Sequence, residues 1–170
     1  LMMPDFRSAE RTFGLVTQLS GRAGRGERPG RVILQTRHCD QPVFKHVHPD
    51  TPMDAFYEQE VHQRSVLSHP PFARVVLIRL ESSSMDSART LGEKIATALR
   101  AQADGQGIQV FGPTLAPLSR LVGRWRFQLV LRGRDVPRFR AWLDSVQDVL
   151  FARPQRGVKM SIDVDPRNLL

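Results

Sequence analysis

Apolar residues recur at two different periods along this 170-residue chain, and the alternation between those periods predicts its elements. Near the start, Ala9, Phe13, Val16 and Leu19 fall three or four apart behind Ser8, whose hydroxyl suits a helix N-cap. This helix is expected to end at Ser20-Gly21, and Pro29-Gly30 to turn the chain into an apolar strand over 31–36. Prolines 42, 49 and 52 mark 37–52 as a connection, with Pro52 placed for the first turn of a helix reaching about Leu67. Met53, Phe56, Tyr57 and Val61 form its apolar side, and His69-Pro70-Pro71 must stop it.

Beyond that stop the periods are cleaner. Residues 74–81 alternate as a strand, and Ala88, Leu91, Ile95 and Leu99 give a helix over 84–103. Short strands follow at 108–111 and at 126–132, the second with Phe127, Leu129 and Leu131 on one face. Phe139, Leu143, Val146 and Leu150 predict a helix over 136–151, and Val158, Met160, Ile162 and Val164 a closing strand. The order β-α-β-β-α-β implies an α/β (α+β) fold: one antiparallel sheet with two helices on one face, large enough for a modest core.

Charge sharpens the picture. Lys and Arg number 25 against 17 Asp and Glu, a formal charge of +8, and arginine carries nearly all of the excess. It is concentrated in 1–39 and in 118–140, whereas 41–71 leans acidic through Asp50, Asp54, Glu58 and Glu60. Clustered arginine of this kind suits a polyanion such as DNA. A single cysteine, Cys39, excludes an internal disulfide and fits a reducing cytosol. No apolar run reaches the roughly 18 residues needed to span a bilayer, so a cytoplasmic protein without membrane association is expected.

Two stretches carry candidate chemistry. In Gln18-Leu-Ser-Gly21-Arg22-Ala-Gly24-Arg25-Gly26, small residues around two arginines let both guanidinium forks face one target. The terminal phosphates of a nucleoside triphosphate fit such a pair; the plain alternative is an arginine-rich surface turn. In 120–134, Arg120, Arg124, Arg126, Arg132 and Arg134 are interleaved with Trp125 and Phe127. Arg120, Arg124 and Arg126 are candidates for DNA phosphates, with Trp125 a candidate for stacking on bases; Phe127 reads as core. On an alternating strand Arg124, Arg126 and Gln128 share one side, and Trp125, Phe127 and Leu129 the other. His38, Cys39, His46 and His48 match no zinc spacing, so no metal site is expected, and Asp163 and Asp165 read as structural. No Gly-x-x-x-x-Gly-Lys-Ser/Thr loop is present, so the chain by itself is not expected to hydrolyse ATP.

The run 5–13, then Gln18 to Gly26, then 29–36 resembles superfamily 2 helicase motif VI as it stands in the primosomal protein N′ (PriA) family. Further similar stretches follow in the same order: Ala55-Phe56-Tyr57-Glu58, His69-Pro70-Pro71-Phe72, Gly112-Pro113, 116–121, 123–128 and Asp163-Val164-Asp165-Pro166. The resemblance implies the end of a RecA-like lobe 2 over 1–39, a linker with a helix over 40–71, and a DNA- and partner-binding domain over 72–170. It implies that Arg22 and Arg25 meet the γ-phosphate of ATP, with Gln18 coupling nucleotide state to lobe closure and Gly21 and Gly24 as cofactor-binding residues of the turn. It further implies that this is the C-terminal part of an ATP-dependent 3′→5′ DNA helicase for replication restart and primosome assembly. ATP and Mg²⁺ would be held mainly upstream, and Zn²⁺ on upstream cysteines. Expected partners are DNA at stalled forks, D-loops and single strands, other primosome proteins, and the acidic tail of single-stranded-DNA-binding protein, the last through Arg132 or Arg134. Two alternatives stay open: a non-catalytic nucleic-acid-binding restart module with a degenerate helicase half, and a different superfamily 2 helicase such as a branch-migration enzyme.

Overall fold

The computed structural model describes residues 5–23, 31–48, 51–152 and 156–169, which divide into two compact units, 1–67 and 68–170. In the first unit, α1 (Ser8–Ala23) and α2 (Met53–Leu67) are joined through a short 3₁₀ turn at Pro42–His46. Their core is small: Phe13 stacks on Phe56 with ring centroids 4.0 Å apart, and Val43 closes over them. Arg64 ties the helices together, donating to Glu60 on its own helix, to Glu10 on α1 and to the Phe6 carbonyl. Burial works against its charge, but the hydrogen bonds to Glu10 and Glu60 outweigh that cost and raise its pKa.

Two expectations for this unit are corrected. The first helix does not end at Ser20-Gly21 but runs on to Ala23. One glycine costs only about 1 kcal/mol in a helix, and the Arg22-Ala23 that follows propagates it well. Residues 31–36 form no strand; they have no regular secondary structure and are exposed. Apolar alternation makes a strand only when a neighbour supplies the backbone hydrogen bonds, and among the described residues none does.

The second unit holds β1 (Arg74–Ser82), α3 (Met85–Ala103), β2 (Ile108–Leu121), β3 (Arg124–Gly133), α4 (Val136–Ser145), α5 (Gln147–Leu150) and β4 (Val158–Val164). The sheet is four-stranded and antiparallel in the order β2-β3-β1-β4. Val76, Ile78 and Leu80 of β1 and Phe127, Leu129 and Leu131 of β3 meet Ala88, Ile95 and Leu99 of α3 and Phe139, Trp142 and Val146 from the α4 side. Caps set both helix starts: Ser84 accepts from the Ser87 amide, and Asp135 from the Arg138 amide. The expected single helix over 136–151 is broken at Val146, whose amide bonds back to Trp142 while a separate turn, α5, begins. Its 3.6-residue pattern continues across the break, because Val146 and Leu150 still point into the same core.

The expected short strand 108–111 extends to Leu121. Its pairing with β3 shifts register after Phe111 and again after Leu115, so Pro113 and Pro117 sit where the ladder asks for no regular bond. Gly112, at φ +91°, allows the first shift: a Cβ built there would lie 2.5 Å from the Gln128 carbonyl oxygen. Arg100 of α3 donates to the Gly112 carbonyl and holds the bulge against the helix.

The face of the sheet away from the helices is partly buried and charged. Arg126 is 6% exposed, and its Nε lies 3.2 Å from Glu81 Oε1 directly across the β1–β3 pairing. Two changes test these constraints. Gly112→Ala is expected to destabilise the chain by about 2–4 kcal/mol, from positive φ and the backbone clash together, read as a lower urea midpoint. Glu81→Ala leaves a buried guanidinium without its carboxylate and should cost about 2 kcal/mol, less than a fully buried pair because Glu81 keeps some solvent. A midpoint unchanged in Glu81→Ala would show the pair to be idle.

Candidate nucleic-acid interface

Between Asp104 and Asp135 the chain has no carboxylate and carries five arginines. β2 and β3 fold this stretch into a hairpin on the open edge of the sheet, so its charge is presented from one ribbon. A strand advances about 3.3 Å per residue, which puts Arg124 and Arg132 on β3 roughly 27 Å apart. The arginines therefore form two groups at opposite ends of the ribbon, not one patch.

At the hairpin end, Arg120 pairs directly with Trp125, and its guanidinium lies over the indole, 5.3 Å from the ring centroid. Trp125 is half-buried and Arg120 exposed. The next rung joins Leu121 to Arg124, which is also exposed. The assignment of Arg126 to the DNA-facing group needs correcting in its geometry. It lies on the same side as Arg124, as alternation requires, but is buried and committed to Glu81. Gln128 beside it is also buried, with its side-chain Oε1 unpaired among the described residues. Phe127 belongs to the core, 4% exposed.

At the other end, Arg132 donates from Nε to Gln109 Oε1 at 2.9 Å and stacks on Phe111, 4.8 Å from its centroid. Arg134 donates to Ser68 Oγ at 2.6 Å. Burial, and after it the charge of Arg134, lowers the Arg132 pKa. The same logic acts on Arg79 of β1, lowered by burial and then by Arg126, with Glu81 and Asp163 opposing. Sequence reading missed Arg79 and Phe111. Phe111 alternates with Val110 and so reads as strand filler; only the pairing with β3 puts it beneath Arg132. A guanidinium parked on an exposed ring is a surface on which a base could stack.

In the first unit, Gln18 and Arg22 stand one helical turn apart on α1, both exposed, and Gly21 lies between them in helix, not in a turn. Gly24 and Arg25 lie outside the described residues. Ser20, Gly21 and Ala23 border a groove of about 670 Å³ completed by Val32, Leu34 and Val47. Cys39 is exposed, His46 Nε2 meets Gln59 Oε1 at 2.8 Å, and among the described residues no group of three His, Cys, Asp or Glu could hold a metal ion. Asp165 is held by Arg74 at 2.7 Å. No described helix is long and apolar enough to cross a membrane.

Comparison with known proteins places this geometry. Residues 65–167 match the family described as the primosomal protein N C-terminal domain. The chain is 36% identical to the replication restart protein PriA of Bacillus subtilis, over 98% of its own length and 20% of the relative's. It is 37% identical to that of Treponema pallidum over its whole length and 25% of the relative's, and 33% identical to that of Synechocystis over 99% and 20%. It thus spans about a fifth to a quarter of the relatives it matches. With a family match across most of the chain, running through every strand of the sheet and its arginine ribbon, the chain belongs to the primosomal protein N (PriA) family.

Proposed function

We propose that this chain is the C-terminal, DNA-engaging part of an ATP-dependent 3′→5′ helicase that restarts replication and assembles the primosome at stalled forks and D-loops. The observation that carries the reading is the carboxylate-free arginine ribbon between Asp104 and Asp135, on a chain whose relatives are replication restart proteins. Arg120, Arg124, Arg132 and Arg134 neutralise phosphates, and Trp125 together with Phe111 offers ring faces near them. Arg126 supports the strand from beneath through Glu81. Arg132 or Arg134 also serves the acidic tail of single-stranded-DNA-binding protein, a carboxylate-rich ligand that suits the same forks.

Residues 1–39 complete a RecA-like lobe 2 whose remainder lies upstream. ATP with Mg²⁺ is bound mainly by that upstream part and supplies the phosphoryl chemistry. Arg22, exposed in the last turn of α1, and Arg25 approach the γ-phosphate, and Gln18 one turn earlier reports its presence. Zn²⁺ of the intact protein sits on upstream cysteines; Cys39 belongs to no cluster among the described residues.

Two measurements test this. With four phosphate contacts on single-stranded DNA, log K for the 170-residue chain should fall with log salt at a slope of about −2.8. Fluorescence anisotropy with a labelled oligonucleotide reads it, and a slope near zero removes the DNA assignment. In the intact protein, Arg25→Ala should cut DNA-stimulated ATP hydrolysis by about 10³-fold or more and leave DNA affinity within a factor of two or so. Normal turnover in that variant would instead favour a nucleic-acid-binding module without a working motor.

A further inference from the structure

The closed end of the β2–β3 hairpin is built against its own conformational interest. Leu121 pairs with Arg124, leaving Val122 and Gly123 as a two-residue loop with φ +48° and +73°. Positive φ at both central positions marks a type I′ turn, which favours Asn or Gly at its first position. A β-branched valine there is strained. It gains nothing from packing in return, since Val122 is 91% exposed and Leu121 beside it 51% exposed. Strain of this sort persists where a side chain is needed for something outside the fold.

The surroundings say what that something is. β1 ends at Ser82, opposite Trp125, so the Leu121–Arg124 rung and the tip reach past the neighbouring strand. Arg120 and Arg124 stand on successive rungs and hence on opposite faces of the ribbon. Along the chain the nearest carboxylates are Asp104 and Asp135, and Glu81, which lies across the ladder on the face of Arg124, is already engaged by Arg126. An apolar point with a cation on each side complements a polyanion that has an apolar interior, which is a stack of bases between phosphates. A hydrophobic pocket on a protein would fit Val122 and Leu121 but gives no reason for arginine on both faces.

We infer that this tip is a wedge for nucleic-acid bases. Val122, backed by Leu121, enters a base step at a junction of single and double strands while Arg120 and Arg124 hold phosphates on either side. The inference rests on the DNA-binding reading above and assigns it a place of action: the junction, which is opened rather than only held. Trp125 keeps Arg120 aligned from behind by stacking under its guanidinium.

The test uses the 170-residue chain and a forked DNA with 2-aminopurine at the first paired position. The native chain should raise the fluorescence of that base roughly twofold or more as it unstacks. Val122→Asn places Asn-Gly in the turn, so its thermal midpoint should hold or rise while the fluorescence increase is lost and the salt slope persists. Val122→Gly should behave alike, guarding against an effect peculiar to asparagine. Replacing both Arg120 and Arg124 by serine should reduce the salt slope by about 1.4. Salt-dependent binding with flat fluorescence in the native chain, or an increase that survives in Val122→Asn, overturns the wedge and leaves DNA binding standing. Absence of salt-dependent binding by the native chain removes both.

Discussion

A slip of one residue between β1 and β3 would turn Arg126, Gln128 and Arg132 toward the helices and Phe127, Leu129 and Leu131 toward water. Strand side chains alternate with period two, so there is no intermediate arrangement. The register is held on both faces at once. On the inner face, Leu80 lies opposite Phe127, Ile78 opposite Leu129 and Val76 opposite Leu131, all nearly or fully buried. On the outer face the same ladder sets Glu81 opposite Arg126. Everything proposed for the ribbon depends on this, because the ends of β3 carry Arg124 and Arg132 wherever the register puts them.

The ribbon itself combines a rigid half with a loosely attached half. β3 is interior, bonded to β1 from Trp125 to Gly133, whereas β2 is an edge strand interrupted by two register shifts. Such an edge invites pairing with other chains, and bulges with proline are a usual defence. Here Pro113 and Pro117 lie within the irregular stretches, and Arg100 fastens one of them to α3. The consequence for function is that aromatic and arginine pairs sit at the two regular ends, Arg132 on Phe111 and Arg120 on Trp125, with the irregular segment between.

The two units differ in how far each satisfies its own surface. The sheet unit buries a continuous core from β1, β3, α3, α4 and β4. In 1–67 the core comprises Phe13, Val43 and Phe56, while Leu15, Leu19, Ile33 and Leu34 remain exposed among the described residues. The sheet unit has the means to fold from its own contacts; the helical unit has few.

How much could be read from the chain depended on whether a pattern had a local cause. The β-α-β-β-α-β order and the inward face of β3 follow from periodicity, and the sheet unit has that order of strands and helices, with its second helix broken at Val146; the caps at Ser84 and Asp135 emerge only in the structure. Arginine enrichment in 120–134 was equally plain. What the chain alone could not settle was which arginines are free to act. Arg126 and Arg124 look alike on an alternating strand, and only the neighbour across the ladder buries one against Glu81 and leaves the other in water. Residues 31–36 fail to become a strand for the same reason, since a ladder needs a second backbone. Sequence by itself determined the period of each element and the sign of its charge, both properties of neighbours along the chain. Tertiary structure decided exposure and pairing, because those are set by residues dozens of positions away.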